Sequence, residues 1–384
     1  MELHKCFGTG LFLLVFTTLS FSQGMHLSLE NQVSGWGILN FSDPVQSQLG
    51  GRYLPTLSVI DSLKNNRKID AEIAVNAYGN LNFIGNSFDG SNGKIKPYRL
   101  WARYSTPRFE LRIGLQKINF GSASIFRPLM WFDKIDYRDP LQLTDGVYGV
   151  LGRYYFQNNM NIWLWSLYGN DEPMGWEKIP TEWKIPEFGG RIQQPVPKGE
   201  IALSYHHREA DFSELYDTIP MADQTHFPEN KLGFDAKVDL GVGLWIEYVA
   251  KHNDPSNIFT SEWETYFNCG FDYTFPLGNG LSLLTEYFRY NSIDNLSGKG
   301  MKNTFTGISV TYPFGLLNTI SAVVYYNWEP QEWSRFVSLQ RKYDYWSFYA
   351  MFFWNPDTYA IYSIKNDRNL FAGKGIQLMA VVNF

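Results

Sequence analysis

The chain has 384 residues, of which 17% are aromatic and 18% are charged, and its formal net charge is −5. Soluble domains carry about 25% charged residues, so this composition is poor in charge for its length. The many aromatic residues exclude an intrinsically disordered chain, and the mild net charge offers no basic surface for a nucleic acid partner. No apolar run of about 20 residues follows the N-terminal segment, which excludes a bundle of membrane-spanning helices.

The first residues have the pattern of a secretory signal peptide. Lys5 precedes a short apolar core over residues 11–16, and Ser20 and Ser22 are small residues at positions −3 and −1 of a cleavage site. The sequence therefore predicts a signal peptide over residues 1–22 and one barrel domain over residues 23–384. Cys269 is then the only cysteine of the mature chain, so an intramolecular disulfide is not expected.

From residue 26 onwards, apolar and polar side chains alternate in segments of about ten residues. In one of them, Phe109 and Leu111 alternate with Glu110 and Arg112. Successive side chains of a strand point to opposite faces, so this pattern predicts strands with one apolar and one polar face. Eighteen strands are predicted, over residues 26–40, 47–59, 67–80, 96–105, 108–117, 146–156, 160–168, 187–195, 199–208, 229–239, 242–253, 261–276, 280–291, 302–312, 318–328, 333–341, 345–354 and 373–384.

The lengths of the strands and of their connections favour a membrane barrel over a secreted sandwich. Strands of about ten residues cross a bilayer when tilted, whereas sandwich strands usually have five or six residues. Connections after even-numbered strands are short, and long ones follow odd-numbered strands, at 81–95, 118–145, 169–186, 209–228, 291–302 and 355–372. This parity is typical of short periplasmic turns and long outer loops. The predicted fold is all-β: a transmembrane antiparallel up-and-down β-barrel of about 18 strands, with 16 as the alternative.

The last ten residues carry a further signal for export to the outer membrane. Ile376, Leu378, Ala380, Val382 and Phe384 share one face of the final strand. This resembles the C-terminal strand of bacterial outer-membrane proteins, which ends in Phe. The resemblance implies recognition by the barrel-assembly machinery through Phe384, and a cell outer-membrane location with membrane lipid and lipopolysaccharide as neighbours.

A resemblance to a channel family covers residues 108–150. A charged strand with Gly114, Gln116 and Gly121 leads into a long loop that contains Arg-Pro and Asp-Pro pairs. This is similar to large outer-membrane porins of the alginate-export and related channel-forming families, and the signal ending Ser-Phe-Ser-Gln is similar to that of Bacteroidetes secreted proteins. The resemblance implies a barrel whose third outer loop, over residues 118–145, folds into the lumen. It identifies no transported solute.

The candidate pore residues are acids of this loop and arginines of the strands. The loop contributes Asp133, Asp136, Asp139 and Asp145, and strand alternation places on the lumen face Arg52, Arg99, Arg103, Arg112, Arg153, Arg191 and Arg208. Loop acids opposite an arginine wall would create a transverse field that selects solutes by charge. Alternatively, the aspartates pair with these arginines and only hold the loop in place. Acids on the other wall, such as Asp235 and Glu247, would make the lumen bipolar.

The sequence has no catalytic, cofactor or metal motif of a familiar kind. The histidines His206 and His207 are adjacent and followed by Glu209, but neighbouring residues of a strand point to opposite faces, so they do not share a metal. The predicted function is passive diffusion of small hydrophilic or oligosaccharide-like solutes, without a cofactor and without enzymatic activity. The alternatives are a barrel enzyme of the protease or lipase class, and a non-conducting adhesion or structural barrel.

Overall fold

The computed structural model describes residues 25–211, 213, 226–254, 261–293, 300–357 and 370–384. The predicted signal peptide over residues 1–22 lies outside the described residues. The described chain forms one antiparallel sheet of eighteen strands, and no helix in it is long and apolar enough to cross a membrane.

The strands follow one another around the sheet in chain order. They are β1 (Met25–Asn40), β2 (Gln46–Leu63), β3 (Arg67–Ile84), β4 (Ser87–Ser105), β5 (Phe109–Gln116), β6 (Val147–Tyr155), β7 (Asn161–Leu167), β8 (Glu187–Val196), β9 (Gly199–Asp211), β10 (His226–Asp239), β11 (Gly243–Asn253), β12 (Trp263–Phe275), β13 (Leu281–Ile293), β14 (Met301–Pro313), β15 (Asn318–Asn327), β16 (Glu332–Lys342), β17 (Trp346–Trp354) and β18 (Lys374–Asn383). The first and last strands also pair, with Gly37 opposite Leu378, and this closes the barrel. The prediction of eighteen strands is confirmed, and the alternative of sixteen is wrong.

Each strand has an outer face that is apolar and exposed and an inner face that is more polar and more buried. On the outer face, Ile113 is 52% exposed, Leu164 65% and Leu203 56%. On the inner face, Arg191, Ser204 and other polar side chains are buried. An apolar outer surface around a closed sheet is the arrangement that a bilayer requires, because every backbone group is paired and no edge remains.

The connections follow the predicted parity at one end of the barrel and depart from it at the other. Connections after even-numbered strands are two to five residues long throughout, and we call this end the turn end. The predicted long loop over residues 81–95 is wrong, because β3 and β4 continue pairing up to Ile84 and Ser87. The two strands turn at Gly85, whose φ of +55° suits a tight turn. The sequence predicted a loop here because the segment contains many Gly, Asn and Ser residues, which are typical of loops.

Candidate functional site

The longest described connection, residues 117–146 between β5 and β6, lies inside the barrel. We call it the inner segment. It contacts inner-face residues of strands on the opposite wall, from β9 to β16. Trp131 and Phe132 pack on His206 of β9, and the hydroxyl of Tyr137 donates to Ser309 Oγ of β14 over 3.0 Å. The inner segment therefore extends from its own strands across the lumen.

Two carboxylates of the opposite wall hold the inner segment by its backbone. Glu286 of β13 accepts the N–H groups of Ser124, Ile125 and Phe126 at 2.6, 3.1 and 2.9 Å. Glu247 of β11 accepts those of Ser122 and Ala123, at 2.5 and 2.7 Å. Charge-assisted bonds of this kind are stronger than bonds between neutral groups, so these five bonds fix where the segment meets the wall.

The chain bends at Gly121 to make this contact possible. Gly121 has a φ of +96°, and a Cβ there would lie 2.6 Å from Glu247 Oε1. A side chain would therefore be strained by the backbone conformation and would displace the carboxylate. Gly121, one of the glycines in the stretch that resembles porins, therefore allows the backbone of the inner segment to approach Glu247.

Apolar packing completes the attachment of the inner segment. Phe126 stacks on Phe288 of β13 with ring centroids 5.2 Å apart, and Phe120 stacks on Trp165 of β7 at 5.8 Å. Ile118, Ile125, Phe126, Leu129 and Phe132 are at most 2% exposed. A barrel lumen filled only by water would leave such side chains wet. The segment instead forms a hydrophobic core with the inner faces of β7 to β16.

A second connection, residues 168–186 between β7 and β8, covers a buried ionic cluster beside the inner segment. Trp176 stacks on Phe288 with ring centroids 5.0 Å apart. Glu177 contacts both Lys231 and Arg208, the latter at 3.3 Å, and Arg208 also binds Glu229 at 2.6 Å. Paired buried charges of this kind are costly to break, so this side of the lumen is closed by well-fixed contacts.

Three of the predicted pore arginines lie together around one carboxylate. Glu110 of β5 is 3.2 Å from Arg112 Nη2, 3.4 Å from Arg153 Nη1 and 3.5 Å from Arg103 Nη1. Arg103 also binds Asp70 of β3, at 2.5 to 3.1 Å. We call these five residues the arginine cluster. Three guanidinium groups share two carboxylates there, so the cluster carries an excess positive charge.

The other predicted arginines have separate environments. Arg52 lies over the rings of Trp36 and Tyr78, 5.7 and 5.5 Å from the centroids. Arg99 donates to the carbonyl of Thr144 in the inner segment over 3.1 Å. Arg191 is buried and forms a bidentate pair with Asp235 of β10, at 2.6 and 2.9 Å. Of these arginines, Arg99 is the one that contacts the inner segment through a hydrogen bond to its backbone.

The predicted aspartates of the inner segment do not bind the predicted arginines. Asp133 pairs with Arg127 at 2.5 Å and Asp136 with Arg138 at 2.5 Å, both inside the same segment. Asp145 binds Lys96 of β4 at 2.5 Å. The expectation that the aspartates pin the loop to the arginine wall is wrong in this respect. Arg127 and Arg138 of the segment itself neutralise Asp133 and Asp136, so these aspartates are not available to the arginines of the strands. The acids that hold the segment are Glu247 and Glu286 of the opposite wall.

Two acids in the connections, Asp139 and Glu172, have shifted pKa values. Burial raises the pKa of Asp139, although the N–H groups of Leu141 and Leu143 act in the opposite direction. Burial alone would raise the pKa of Glu172 as well, but the lysines around it lower it overall. Glu172 is therefore held in its charged form beside Lys94 and Lys134, at 3.3 and 3.5 Å.

The exposure of inner-face side chains is uneven around the barrel. On β10 to β13, Glu229, Glu247 and Glu286 are at most 2% exposed beneath the two inner connections. In the arginine cluster the side chain of Arg103 keeps 28% of its surface and that of Arg153 16%. The arginine cluster of β3 to β6 therefore borders a water-accessible part of the lumen.

The histidine pair has the opposite orientations that strand alternation predicts. His206 is fully buried, accepts a bond from Trp165 Nε1 at 3.2 Å and lies 3.2 Å from Glu187. His207 points outwards, with Asn230 at 3.0 Å. An imidazole enclosed by aromatic rings has no space for a substrate, so this pair does not support the enzyme alternative. Among the described residues, no group of three or more acidic, His or Cys side chains has a metal-binding arrangement.

Sequence reasoning missed the acids that organise the lumen. Asp70, Glu110 and Glu286 were not among the candidates, although each is buried on the inner face of its strand. Glu110 could have been found from the sequence, because it shares the polar face of its strand with Arg112. No local signal indicated that Glu286 would bind a segment more than 150 residues away, as its bonds to residues 124–126 show.

Comparison with solved structures finds the same fold in bacterial outer-membrane porins. Salmonella typhi OmpF, in a structure described as a complex with daunomycin, matches with a TM-score of 0.51 and 8% identity, over 94% of this chain and 98% of that one. Acinetobacter baumannii OccAB2 matches with a TM-score of 0.56 and 10% identity, over 93% and 98%. Pseudomonas aeruginosa OccK5 (OpdH) matches with a TM-score of 0.57 and 12% identity, over 94% and 97%.

These similarities concern architecture. No protein-family model matches the sequence, and a search of curated proteins finds no similar one. The resemblance to alginate-export porins accordingly remains a prediction. The barrel with its apolar outer surface, similar along nearly its whole length to outer-membrane porins, is a multi-pass β-barrel of the bacterial outer membrane.

Proposed function

We propose that this protein is a passive outer-membrane channel for small hydrophilic or oligosaccharide-like solutes, with the inner segment as its constriction. The observation that carries the proposal is the unequal filling of the lumen. One side is occupied by connections packed against β7 to β16, and the other retains partly exposed polar side chains at the arginine cluster of β3 to β6. A barrel of this many strands encloses an aqueous channel unless it is filled, so the remaining passage follows the arginine cluster.

The charges beside this passage give it a preference for anions. The arginine cluster has three positive charges and two negative ones. Nearer the end of the barrel opposite the turn end, three positive charges (Lys94, Lys96 and Lys134) lie beside two negative ones (Glu172 and Asp145). A narrow passage between low-dielectric walls strengthens such a field. Solutes with a carboxylate or phosphate group would therefore be favoured over neutral or cationic ones of similar size. Aromatic rings of the same wall, such as Trp36 and Trp101, offer flat surfaces to sugar rings.

Single-channel recording with cysteine variants tests both the conduction and its route. In a Cys269→Ser background, Arg112→Cys places a thiol in the proposed passage. A bulky water-soluble thiol reagent should then lower the conductance strongly. The matched variant Arg335→Cys places a thiol on the outer face of β16, where modification should leave the conductance unchanged.

Two results would contradict the proposal. A wild-type barrel that is folded but silent in planar bilayers would be a structural or adhesion barrel. A conducting barrel whose conductance is unaffected by modification at position 112 would conduct by another route. Block by acidic sugars compared with neutral sugars of equal size then tests the solute class.

A further inference from the structure

An apolar groove runs over the outer face of the barrel, next to the seam where β1 meets β18. Its volume is about 610 Å³. One row of its lining follows the pairing of the sheet, from Gly37 to Leu378, from Leu378 to Ala350 and from Ala350 to Leu339. Gly37 and Ala350 alternate in this row with Leu378 and Leu339, and the small residues leave space between the larger side chains.

The groove has the length and direction of one lipid leaflet. Its lining extends from Leu49 on β2 to Asn318 on β15, across six neighbouring strands. Five strand spacings of about 4.8 Å make about 24 Å. Barrel strands tilt by about 45°, so the direction across them is inclined equally and the groove descends about 17 Å. The apolar half of a bilayer is about 15 Å thick.

A cation stands at the turn end of the groove. Arg341 is the second-last residue of β16, lies on the outer face and is exposed. Its guanidinium is 5.2 Å from the ring of Tyr343, and no ion pair within the described part of the chain includes it. Asn318, at the start of β15, pairs with Arg341 in the sheet and adds a polar side chain at the same place.

We propose that this groove binds a phospholipid of the periplasmic leaflet, with one acyl chain in the groove and the phosphate at Arg341. The apolar lining accommodates the acyl chain by packing, and the guanidinium fork matches phosphate oxygens and supplies the preference for this lipid. The position of the cation at the turn end selects the leaflet, because short turns face the periplasm in such barrels. The site is separate from the proposed passage, since Arg341 and the row from Gly37 to Leu339 lie on the outer face.

Native mass spectrometry of the delipidated full-length barrel in detergent tests the site. The probes are dioleoyl phosphatidylglycerol, and dioleoylglycerol, which has the same chains without phosphate. The wild type should retain one phosphatidylglycerol molecule. Arg341→Ala should weaken its binding about tenfold, which is about 1.4 kcal/mol, without affecting dioleoylglycerol. Ala350→Leu, which fills the floor, should weaken both lipids.

The matched control is Arg335→Ala, an arginine on the same strand and face but at the other end of β16, and it should bind as the wild type does. Unchanged conductance of each variant establishes that it is folded. Equal phosphatidylglycerol binding by wild type and Arg341→Ala would overturn the proposal. Binding abolished by inorganic phosphate alone would show an anion site without a chain site. A loss of dimers in Ala350→Leu without a loss of lipid would assign the groove to a second copy of the chain.

Discussion

At the scale of single residues, the two carboxylates of the arginine cluster have different numbers of arginine partners. Glu110 contacts three arginines, whereas Asp70 contacts Arg103 alone. Removing a carboxylate and removing a guanidinium from the same cluster should therefore change the selectivity of the pore in opposite directions. This opposition distinguishes an electrostatic effect from a loss of structure.

We expect the double variant Arg112→Ala/Arg153→Ala to shift the reversal potential in a salt gradient towards cation preference. Glu110→Gln should shift it towards anions, because the three arginines then lose a shared counter-charge. Raising the salt from about 0.1 to 1 M shortens the Debye length from about 10 to 3 Å and should reduce both shifts. Shifts of the same sign in the two variants would contradict an electrostatic role of the cluster.

Cys269 lies on the outer face of β12, opposite Ile246 and Tyr287 of the neighbouring strands. The predicted register of this strand places the thiol towards lipid. A membrane-impermeant thiol reagent should label it slowly in intact cells, and a lipid-soluble one quickly. The control is Cys269→Ser/Lys94→Cys, because the Lys94 side chain is 54% exposed to water. Fast labelling of Cys269 by the impermeant reagent would refute the lipid-facing position.

At the scale of elements, the inner segment is held by both hydrogen bonds and apolar contacts. Glu286→Ala leaves three backbone N–H groups of residues 124–126 without their acceptor, and each buried unpaired group costs about 1–3 kcal/mol. We expect the segment to become mobile, so single-channel recordings should show larger and noisier conductance. Glu30→Ala, on an exposed part of β1, is the control and should leave the recordings unchanged.

Replacing residues 118–145 by a short linker should widen the pore, but at a greater cost in stability than the loop length suggests. Closing a shorter loop changes the chain entropy little, about 0.6 kcal/mol per doubling of length. The deletion, however, exposes the rings of Phe288, Phe305 and Tyr325, which are now at most 9% exposed. Thermal unfolding should therefore occur at a lower temperature, and conductance should increase. A deletion variant with wild-type conductance would place the constriction elsewhere.

At the scale of the whole molecule, Phe384 offers a way to test assembly separately from stability. The backbone of Phe384 exchanges hydrogen bonds with Asn31 at 2.8 and 3.0 Å across the seam, while its side chain is 63% exposed. We propose that this ring serves recognition by the barrel-assembly machinery. Phe384→Ala should lower the amount of barrel assembled in cells several-fold, yet leave the unfolding temperature of protein refolded in detergent nearly unchanged. Equal losses in both measurements would make the ring structural.

The sequence by itself determined the number of strands, their approximate bounds and the two faces of the barrel. These follow from a local rule, because side chains alternate in every strand whatever its neighbours are. The lumen side of Arg103, Arg112 and Arg153 could be predicted for this reason. The hairpin of β3 and β4 could not, because its many small polar residues are compatible with both a loop and an extended strand pair.

Only the tertiary structure decided which charges meet. Glu110 joins arginines of β4, β5 and β6, and Glu247 and Glu286 bind a segment that starts on the far wall. Asp133 and Asp136, which looked like partners of the arginine wall, are instead neutralised within their own segment. Closure of the barrel brings together side chains that are far apart in the sequence. A local sequence pattern does not indicate which residues face each other across the lumen.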